Sequence, residues 1–342
     1  MALARFLGWG VVALAVVGTG VWGTLALHYS GLSPGWLREA LAAAFGLLAL
    51  VALGAIGAGW RRGAVLAAFA VAFLGLLLHW RTIEPSRDRD WAPEVARLPH
   101  VTVDGDLVTL HDIRNFDYRT ETDFTPAYYD RTVDLRKLDA LDVVTSYWMG
   151  PAIAHVFLSF GFGDDHVAVS VEARKERGEG YSSVQGFFKR YELIYLVGDE
   201  RDLIRVRTNY RHDPPEDVYL YRVCGPVENA RRLFLEYVRA INALRERPRF
   251  YDTLTTNCTT TILLHTRVNP GHLPLSWKVL LSGYAAEYVY ERGRFDTGLP
   301  FEDLRRRSRI NDAARAADRA PDFSRRIREG LPGQDGGSAP GS

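Results

Sequence analysis

Cys258 is the residue of this 342-residue sequence whose surroundings best suit nucleophilic chemistry. It follows the polar stretch 251–257 and precedes Thr-Thr-Thr-Ile-Leu-Leu, so it lies where a loop runs into a predicted helix. Thr256 or Asn257 can cap that helix, because each offers a side-chain oxygen to the free N–H groups of the first turn. The positive end of the helix dipole favours thiolate over thiol at this point. The sequence therefore predicts a cysteine nucleophile; the alternative is a small buried apolar residue.

A histidine that can serve this thiol lies on a predicted strand over 153–160, which a glycine-rich turn joins to a second strand over 166–174. Alternation on the second strand puts polar side chains on one face and valines on the other: His166, Ser170, Glu172 and Arg174 share the polar face. Pairing His155 with Ser170 sets His155 on that face, whereas a slip of one residue moves it to the valine face. We expect the first register, with His155 as general base and Glu172 or Ser170 fixing its tautomer. The alternative is a satisfied core histidine.

The elements that would position these residues indicate an α+β domain with a central antiparallel sheet. A hairpin is predicted at 100–110 around the turn Asp104-Gly105. Further strands are predicted at 141–147, 191–197, 203–207 and 218–223, and helical segments at 226–246, 277–290 and 301–328. The charged stretch 198–202 is predicted to be a solvated turn.

The N-terminal part of the chain is apolar. Between Phe6 and Trp80 the charged residues are Arg38, Glu39, Arg61 and Arg62. The runs 6–27, 40–60 and 63–78 predict three transmembrane helices. The predicted organisation is a membrane anchor over 1–80, a tether over 81–99, a cysteine-enzyme domain over 100–328 and a disordered tail over 329–342.

The positive-inside rule gives the orientation. Arg5 and the Arg61-Arg62 turn are expected on the cytoplasmic side, which places the soluble body outside, in the periplasm of an inner-membrane protein. The net charge of +1 gives no argument for nucleic acid as a partner. An exported domain with two cysteines can also hold a disulfide, so a Cys224–Cys258 bond is an alternative to a catalytic Cys258.

Several linked blocks resemble a known family. A histidine on a strand followed much later by a cysteine at a helix start is the order of permuted papain-like, NlpC/P60-like enzymes. Within that order, residues about 91–310 resemble the periplasmic domain typified by the Lnb lipoprotein N-acyltransferases. The blocks are 154–162 (AHVFLSFGF), 170–176 (SVEARKE), 191–195 (YELIY), 199–202 (DERD), 218–221 (VYLY), 248–251 (PRFY) and 257–260 (NCTT).

The resemblance implies a thiol acyl-transfer enzyme whose partner is a membrane lipid or lipoprotein. No cofactor is expected, and no metal, because His265 and His272 form no metal-ligand pattern with another His or Cys. Cys258 would take the acyl group as a thioester, and its N–H would contribute to the oxyanion site. His155 would move protons, with Glu172 or Ser170, or His166 as a competitor, orienting it. The predicted substrate-binding residues are Arg174, Tyr251 and Asn257.

The three helices before the domain depart from the characterised type, which leaves the acyl donor and acceptor open. Two other interpretations stay open at this point. One is an envelope cysteine peptidase or amidase with the same Cys–His pair. The other is a non-catalytic envelope protein in which Cys224 and Cys258 form a disulfide.

Overall fold

The computed structural model describes residues 2–295 and 298–334. The chain divides into two compact units. The first comprises Met1–Asp88 and Tyr181–Glu192, and the second comprises Arg89–Gly180 and Leu193–Ser342.

Three long apolar helices build the first unit: α1 Ala2–His28, α2 Gly35–Ala58 and α3 Arg62–Thr82. Each contains a segment long and apolar enough to cross a membrane, with a mean hydropathy between 1.9 and 2.3. The predicted transmembrane helices are therefore confirmed in number and type. Their interior is apolar, with ring contacts such as Trp22 against Phe73 and Phe45 against Phe69.

The segment Tyr181–Glu192 belongs to the first unit because it packs on the end of α3. Phe188 stacks on Tyr29 with ring centroids 5.6 Å apart and meets Trp80 edge-on at 6.5 Å. The ammonium of Lys189 donates to the carbonyl oxygens of Trp80 at 2.8 Å and Ile83 at 3.2 Å. This positive charge lies where the helix dipole is negative.

A mixed sheet forms the centre of the second unit. Its strands follow the spatial order β1-β2-β9-β8-β7-β6-β10, and β5 pairs with β2. The strands are β1 His100–Asp104, β2 Leu107–Arg114, β5 Tyr128–Asp134, β6 Leu138–Tyr147, β7 Ala154–Phe162, β8 Asp165–Arg174, β9 Glu192–Gly198 and β10 Asp217–Arg222, with β3 Asp117–Tyr118 and β4 Phe124–Thr125 as a separate pair. The pairs β1–β2, β2–β5, β6–β7, β7–β8 and β6–β10 are antiparallel, whereas β2 meets β9 in parallel at Arg114 and Gly198. The α+β class is thus confirmed.

Eight helices accompany the sheet: α4 Glu200–Leu203, α5 Val227–Glu246, α6 Cys258–Thr266, α7 Trp277–Leu280, α8 Ala285–Glu291, α9 Phe301–Arg307, α10 Asn311–Ala316 and α11 Phe323–Arg326 lie within the described residues. The apolar stripe of α5 packs on one face of the sheet, where Phe160 contacts the rings of Phe234 and Tyr237. On the other face Phe157 is buried in a cluster that includes Phe323. Helices therefore cover both faces, which accounts for the burial of β7 on both sides.

Three sequence expectations differ from the structure. The segment 203–207 is not a strand, because Asp199 caps α4 by accepting from the Arg201 N–H and a π-helical turn follows over Val206–Tyr210. The stretch 198–202 is not solvated, since Glu200 and Asp202 are fully buried in ion pairs. The segment 301–328 is broken because the Ile310 N–H donates to the Val218 carbonyl, extending the pairing of β10.

The two C-terminal expectations also need adjustment. The predicted helix 277–290 is divided between α7 and α8, with a 3-10 turn at Ser282–Tyr284. The tail was predicted to be disordered from residue 329, but Leu331 is buried in the core and Gln334 donates to Asp142. The ordered part of the chain therefore extends beyond the predicted boundary. Residues 335–342 of that tail lie outside the described residues.

Candidate active site

Cys258 begins α6, and the loop before it is built to start the helix there. Asp252 accepts hydrogen bonds from the N–H groups of Leu254 and Thr255, which folds the loop into a turn. Asn257 is the N-cap: its side-chain oxygen accepts from the Thr260 N–H at 2.9 Å, and the Thr260 hydroxyl accepts from the Asn257 N–H at 3.0 Å. This reciprocal pair is a capping box. Cys258 therefore has its thiol in the first turn of a capped helix, as its sequence setting predicted.

His155 lies near the start of β7 and turns its ring toward β8. Its Nε2 lies 2.6 Å from the Ser170 hydroxyl, which in turn donates to the Glu172 carboxylate at 2.8 Å. Because Ser170 donates to Glu172, the Nε2–H of His155 donates to Ser170. Glu172 also lies 3.5 Å from Nε2. With Nε2 engaged by Ser170, Nδ1 is the ring nitrogen available to the neighbouring Cys258, whose pKa His155 lowers.

The register of β7 on β8 differs from the expected one by two residues. Leu158 pairs with Val169, and extending that register would set His155 opposite Glu172 rather than Ser170. A shift by two keeps every side chain on its face, whereas a shift by one reverses the faces. His155 therefore meets Ser170 and Glu172 on one face even though the pairing differs.

The surroundings of Cys258 and His155 favour the charged forms of both side chains. Burial by itself would raise the pKa of the Cys258 thiol, but the hydrogen bond from His155, its positive charge and the backbone N–H groups of Val156 and Thr259 lower that pKa below its ordinary value. Burial by itself would lower the pKa of His155, but its interactions with the Cys258 thiol and the Glu172 carboxylate raise it. Each partner therefore favours the charged form of the other, thiolate beside imidazolium. A thiolate is the nucleophilic form of cysteine.

Arg207 is the last residue in this series of contacts, and its role was not predicted from the sequence. Its Nη2 donates to Glu172 Oε1 at 3.0 Å, its Nη1 donates to the Leu203 carbonyl at 2.8 Å, and its side chain is 5% exposed. Burial would raise the pKa of the Glu172 carboxyl, but the His155 hydrogen bond and the Arg207 charge hold that pKa well below its usual range. Glu172 is therefore a carboxylate at neutral pH and can balance the charge of His155. The π-helical turn that presents Arg207 is rare and often found at functional sites.

Glu216 anchors the far side of Arg207. Its carboxylate lies 3.9 Å from the Arg207 Nε and accepts from Arg211 at 2.6 Å. The Ser146 hydroxyl donates to the same carboxylate. Buried carboxylates and guanidinium groups thus alternate behind His155, so each buried charge has an opposite neighbour.

The other predicted site residues have contacts inside the fold. Arg174 is buried, donates to the carbonyl oxygens of Val95 and Ala96, and lies over the ring of Trp91 at 4.0 Å. These contacts give Arg174 a structural role inside the fold, and its predicted role in substrate binding stays a prediction. The polar atoms of Asn257 are likewise engaged in the cap, including a donation to the Thr253 carbonyl at 2.6 Å. Tyr251 is buried at the start of the cysteine loop.

His166 and Cys224, the competitors named from the sequence, do not join the site. His166 pairs with Gly161 at the opposite end of β7 from His155, so it does not orient the His155 ring. Cys224 and Cys258, both described, are not linked by a disulfide. The interpretation of the chain as a non-catalytic protein held by that bond therefore has no support in the structure. Within 2–295 and 298–334, no group of three His, Cys, Asp or Glu side chains could hold a metal ion.

Comparison with known proteins identifies one family. Residues 124–283 match the family model described as the Lnb N-terminal periplasmic domain. This segment contains His155, Ser170, Glu172, Arg207 and Cys258. The family resemblance drawn from the sequence is thereby confirmed for this segment. Together with the three apolar helices, the match supports a membrane-anchored protein with a periplasmic domain. Comparison with curated proteins finds no match, and comparison with solved structures finds none.

Proposed function

We propose that this chain, whose residues 124–283 match the Lnb N-terminal periplasmic domain, is an inner-membrane thiol acyltransferase acting on lipoprotein or lipid acyl groups. The observation that carries the proposal is the series of contacts from His155 through Ser170 and Glu172 to Arg207, beside a Cys258 thiol whose pKa His155 lowers. Such an arrangement has the parts of an activated cysteine nucleophile: a thiol at a helix N-terminus, a base beside it and a group that orients the base.

The first half-reaction forms a thioester. The Cys258 thiolate attacks the carbonyl carbon of an acyl ester, forming a C–S bond, and the C–O bond to the leaving alcohol then breaks. The His155 imidazolium gives its proton to the departing alkoxide. The backbone N–H of Cys258 lies in the first turn of α6, where helical hydrogen bonding leaves donors unused, and it can stabilise the oxyanion.

The second half-reaction returns the enzyme to its starting state. An acceptor amine attacks the thioester carbonyl, the new C–N bond forms and the C–S bond breaks. His155 takes the proton that the amine loses, and Cys258 leaves as thiolate. Glu172, held ionised by Arg207, stabilises the imidazolium in both halves of the reaction without changing its own protonation.

Mass spectrometry of lipoprotein N-termini tests this function. A strain lacking the gene is compared with strains that express the parent chain or Cys258→Ala from a plasmid. We expect the deletion and Cys258→Ala strains to lose the same N-acylated lipoprotein forms, and the parent to restore them. An unchanged acylation pattern in the deletion strain would overturn the acyltransferase proposal. Cleaved envelope peptides that depend on Cys258, with acylation unchanged, would instead support the peptidase interpretation.

A further inference from the structure

Helices α1 and α2 approach each other closely along glycine positions. A Cβ added at Gly20 would lie 2.7 Å from the Cβ of Ala49, and one added at Gly23 would lie 2.3 Å from the ring of Phe45. Neither position has room for a side chain. Small residues at helix contacts allow such close packing in membranes.

Helix α3 leaves an open space against the other two helices. We call it the α3 groove; it is lined by Leu27, Phe45, Leu48, Ala72, Gly75 and His79 among others, and its volume is about 450 Å³. A Cβ added at Gly75 would meet no atom within 4 Å. A groove of this volume is much larger than the space needed for one water molecule, so part of an acyl chain fits. In a bilayer the surroundings of these helices are hydrocarbon, which is the natural content of an apolar groove.

One end of the α3 groove is polar. His79 lies one helical turn beyond Gly75, toward the end of α3 from which the soluble part of the chain continues. Its Nε2 is buried and forms no hydrogen bond with any described residue. A buried ring nitrogen without a partner is unfavourable, and an ester carbonyl entering with an acyl chain would supply an acceptor.

A positive charge lies at the same end of α3. The Lys189 ammonium contacts the carbonyl oxygen of Trp80, the residue directly after His79. An acyl chain in the α3 groove with its ester at His79 would bring a neighbouring phosphate toward this cation. The order of these features matches that of a phospholipid: the apolar wall would contact the acyl chain, the ring nitrogen the ester, and the cation the phosphate.

We propose that the α3 groove is a specific binding site for one acyl chain of a glycerophospholipid, with the ester carbonyl at His79 and the phosphate toward Lys189. The inference goes beyond the proposed function, because binding in the α3 groove requires neither Cys258 nor acyl transfer.

Photo-crosslinking in vesicles tests the site. The full chain is reconstituted in vesicles of phosphatidylethanolamine and phosphatidylglycerol that contain a phosphatidylethanolamine with a diazirine in its acyl chain. After irradiation, labelled peptides are mapped by mass spectrometry. We expect labelling to concentrate on 41–48 and 72–79, and Gly75→Leu, which fills the groove, to reduce it by about tenfold.

Gly54→Leu is the matched control, because Gly54 lies on α2 outside the groove lining and also has open space around it. It should leave the labelling unchanged. Labelling spread evenly over the three helices, or equal in Gly75→Leu and Gly54→Leu, would overturn the proposal. If Gly75→Leu does not fold, Ala72→Leu narrows the same groove and carries the same expectation.

Two further variants make the test specific. His79→Leu should release co-purified phospholipid more readily in detergent washes, and unchanged retention would overturn the placement of the ester. Cys258→Ala should be labelled like the parent. If Cys258→Ala loses acyl transfer but keeps the labelling of the α3 groove, the groove binds lipid independently of the reaction. If Gly75→Leu loses the labelling but keeps acyl transfer, the same independence follows. The two variants therefore distinguish a failure of this inference from a failure of the proposed function.

Discussion

Replacing Glu172 by glutamine removes one negative charge from the chain of contacts behind His155 with little change in shape. In the parent, Glu172 accepts from Ser170 at 2.8 Å and from Arg207 at 3.0 Å, and it lies 3.5 Å from the His155 Nε2. The glutamine oxygen can still accept from Ser170, so the position of the His155 ring is retained. Two things are lost: the stabilisation of the imidazolium and the charge that pairs with the buried Arg207.

The magnitude follows from the value of a hydrogen-bonded charge. A hydrogen bond to a charged group contributes about 1.5–3 kcal/mol, which corresponds to a factor of about 10–150 in an equilibrium constant. The Glu172 carboxylate, 3.5 Å from Nε2, raises the pKa of His155, and His155 in turn lowers the pKa of Cys258. We therefore expect the thiolate–imidazolium population, and with it the alkylation rate of Cys258 at neutral pH, to fall by about 10- to 150-fold in Glu172→Gln.

The assay is the pH profile of iodoacetamide alkylation, followed by intact mass. A Cys224→Ser background leaves Cys258 as the single thiol in the sequence. In the parent the alkylation rate should rise at a pH below the ordinary pKa of a cysteine thiol. In Glu172→Gln this rise should move to higher pH. Glu228→Gln is the control, because Glu228 is exposed on α5, where it lies 3.8 Å from Arg232. A Glu172→Gln protein that is folded at the assay temperature and keeps the pH profile of the parent would refute the reasoning.

Three further predictions concern stability. Arg207→Gln leaves Glu172 without its cation and should lower the free energy of unfolding in urea by as much as about 3–5 kcal/mol, with Arg207→Lys recovering part of the loss; an unchanged urea midpoint would contradict the buried pair. Asn257→Ala removes the cap of α6 and should cost about 0.5–2 kcal/mol in the same measurement. Asn257→Asp keeps the capping oxygen but loses the donation to the Thr253 carbonyl, so it should recover only part of that loss. Burial would raise the pKa of Glu200, but the charge of Arg328 lowers that pKa to about 2. The ionised Glu200 therefore stabilises the fold above its pKa in the unfolded chain, about 4.3, and this stabilisation is lost as the pH falls toward 2. Melting temperatures should therefore drop through that window in the parent and drop less in Arg328→Met, which is already less stable at neutral pH.

Local patterns were sufficient to predict the parts of the candidate site that depend on neighbouring residues. The cap at Asn257 and the first-turn position of Cys258 follow from a few adjacent side chains. The common face of His155, Ser170 and Glu172 follows from strand alternation, which is unaffected by the register difference of two residues. The three membrane helices follow from hydropathy and length alone.

Contacts between distant segments decided what the sequence could not predict. The alternation over 203–207 resembles a strand, but the Asp199 cap and the burial of Asp202 against Arg114 select helical turns there. Arg207 was missed for this reason, because its place beside Glu172 depends on a π-helical turn with no local pattern. Arg174 was predicted to bind substrate because it lies on the polar face of its strand. The strand pattern does not reveal its contacts with the segment 91–96.

The central claim is that the Cys258 sulfur itself carries the acyl group, with His155 as its proton partner. The most direct measurement is the intact mass of the detergent-purified chain after brief incubation with a lipopeptide that bears a diacylglyceryl-cysteine. We expect one acyl group on Cys258 that neutral hydroxylamine removes, and no such adduct in Cys258→Ala or His155→Ala. N-acylation of the lipopeptide by Cys258→Ala at the parent's rate would contradict the claim.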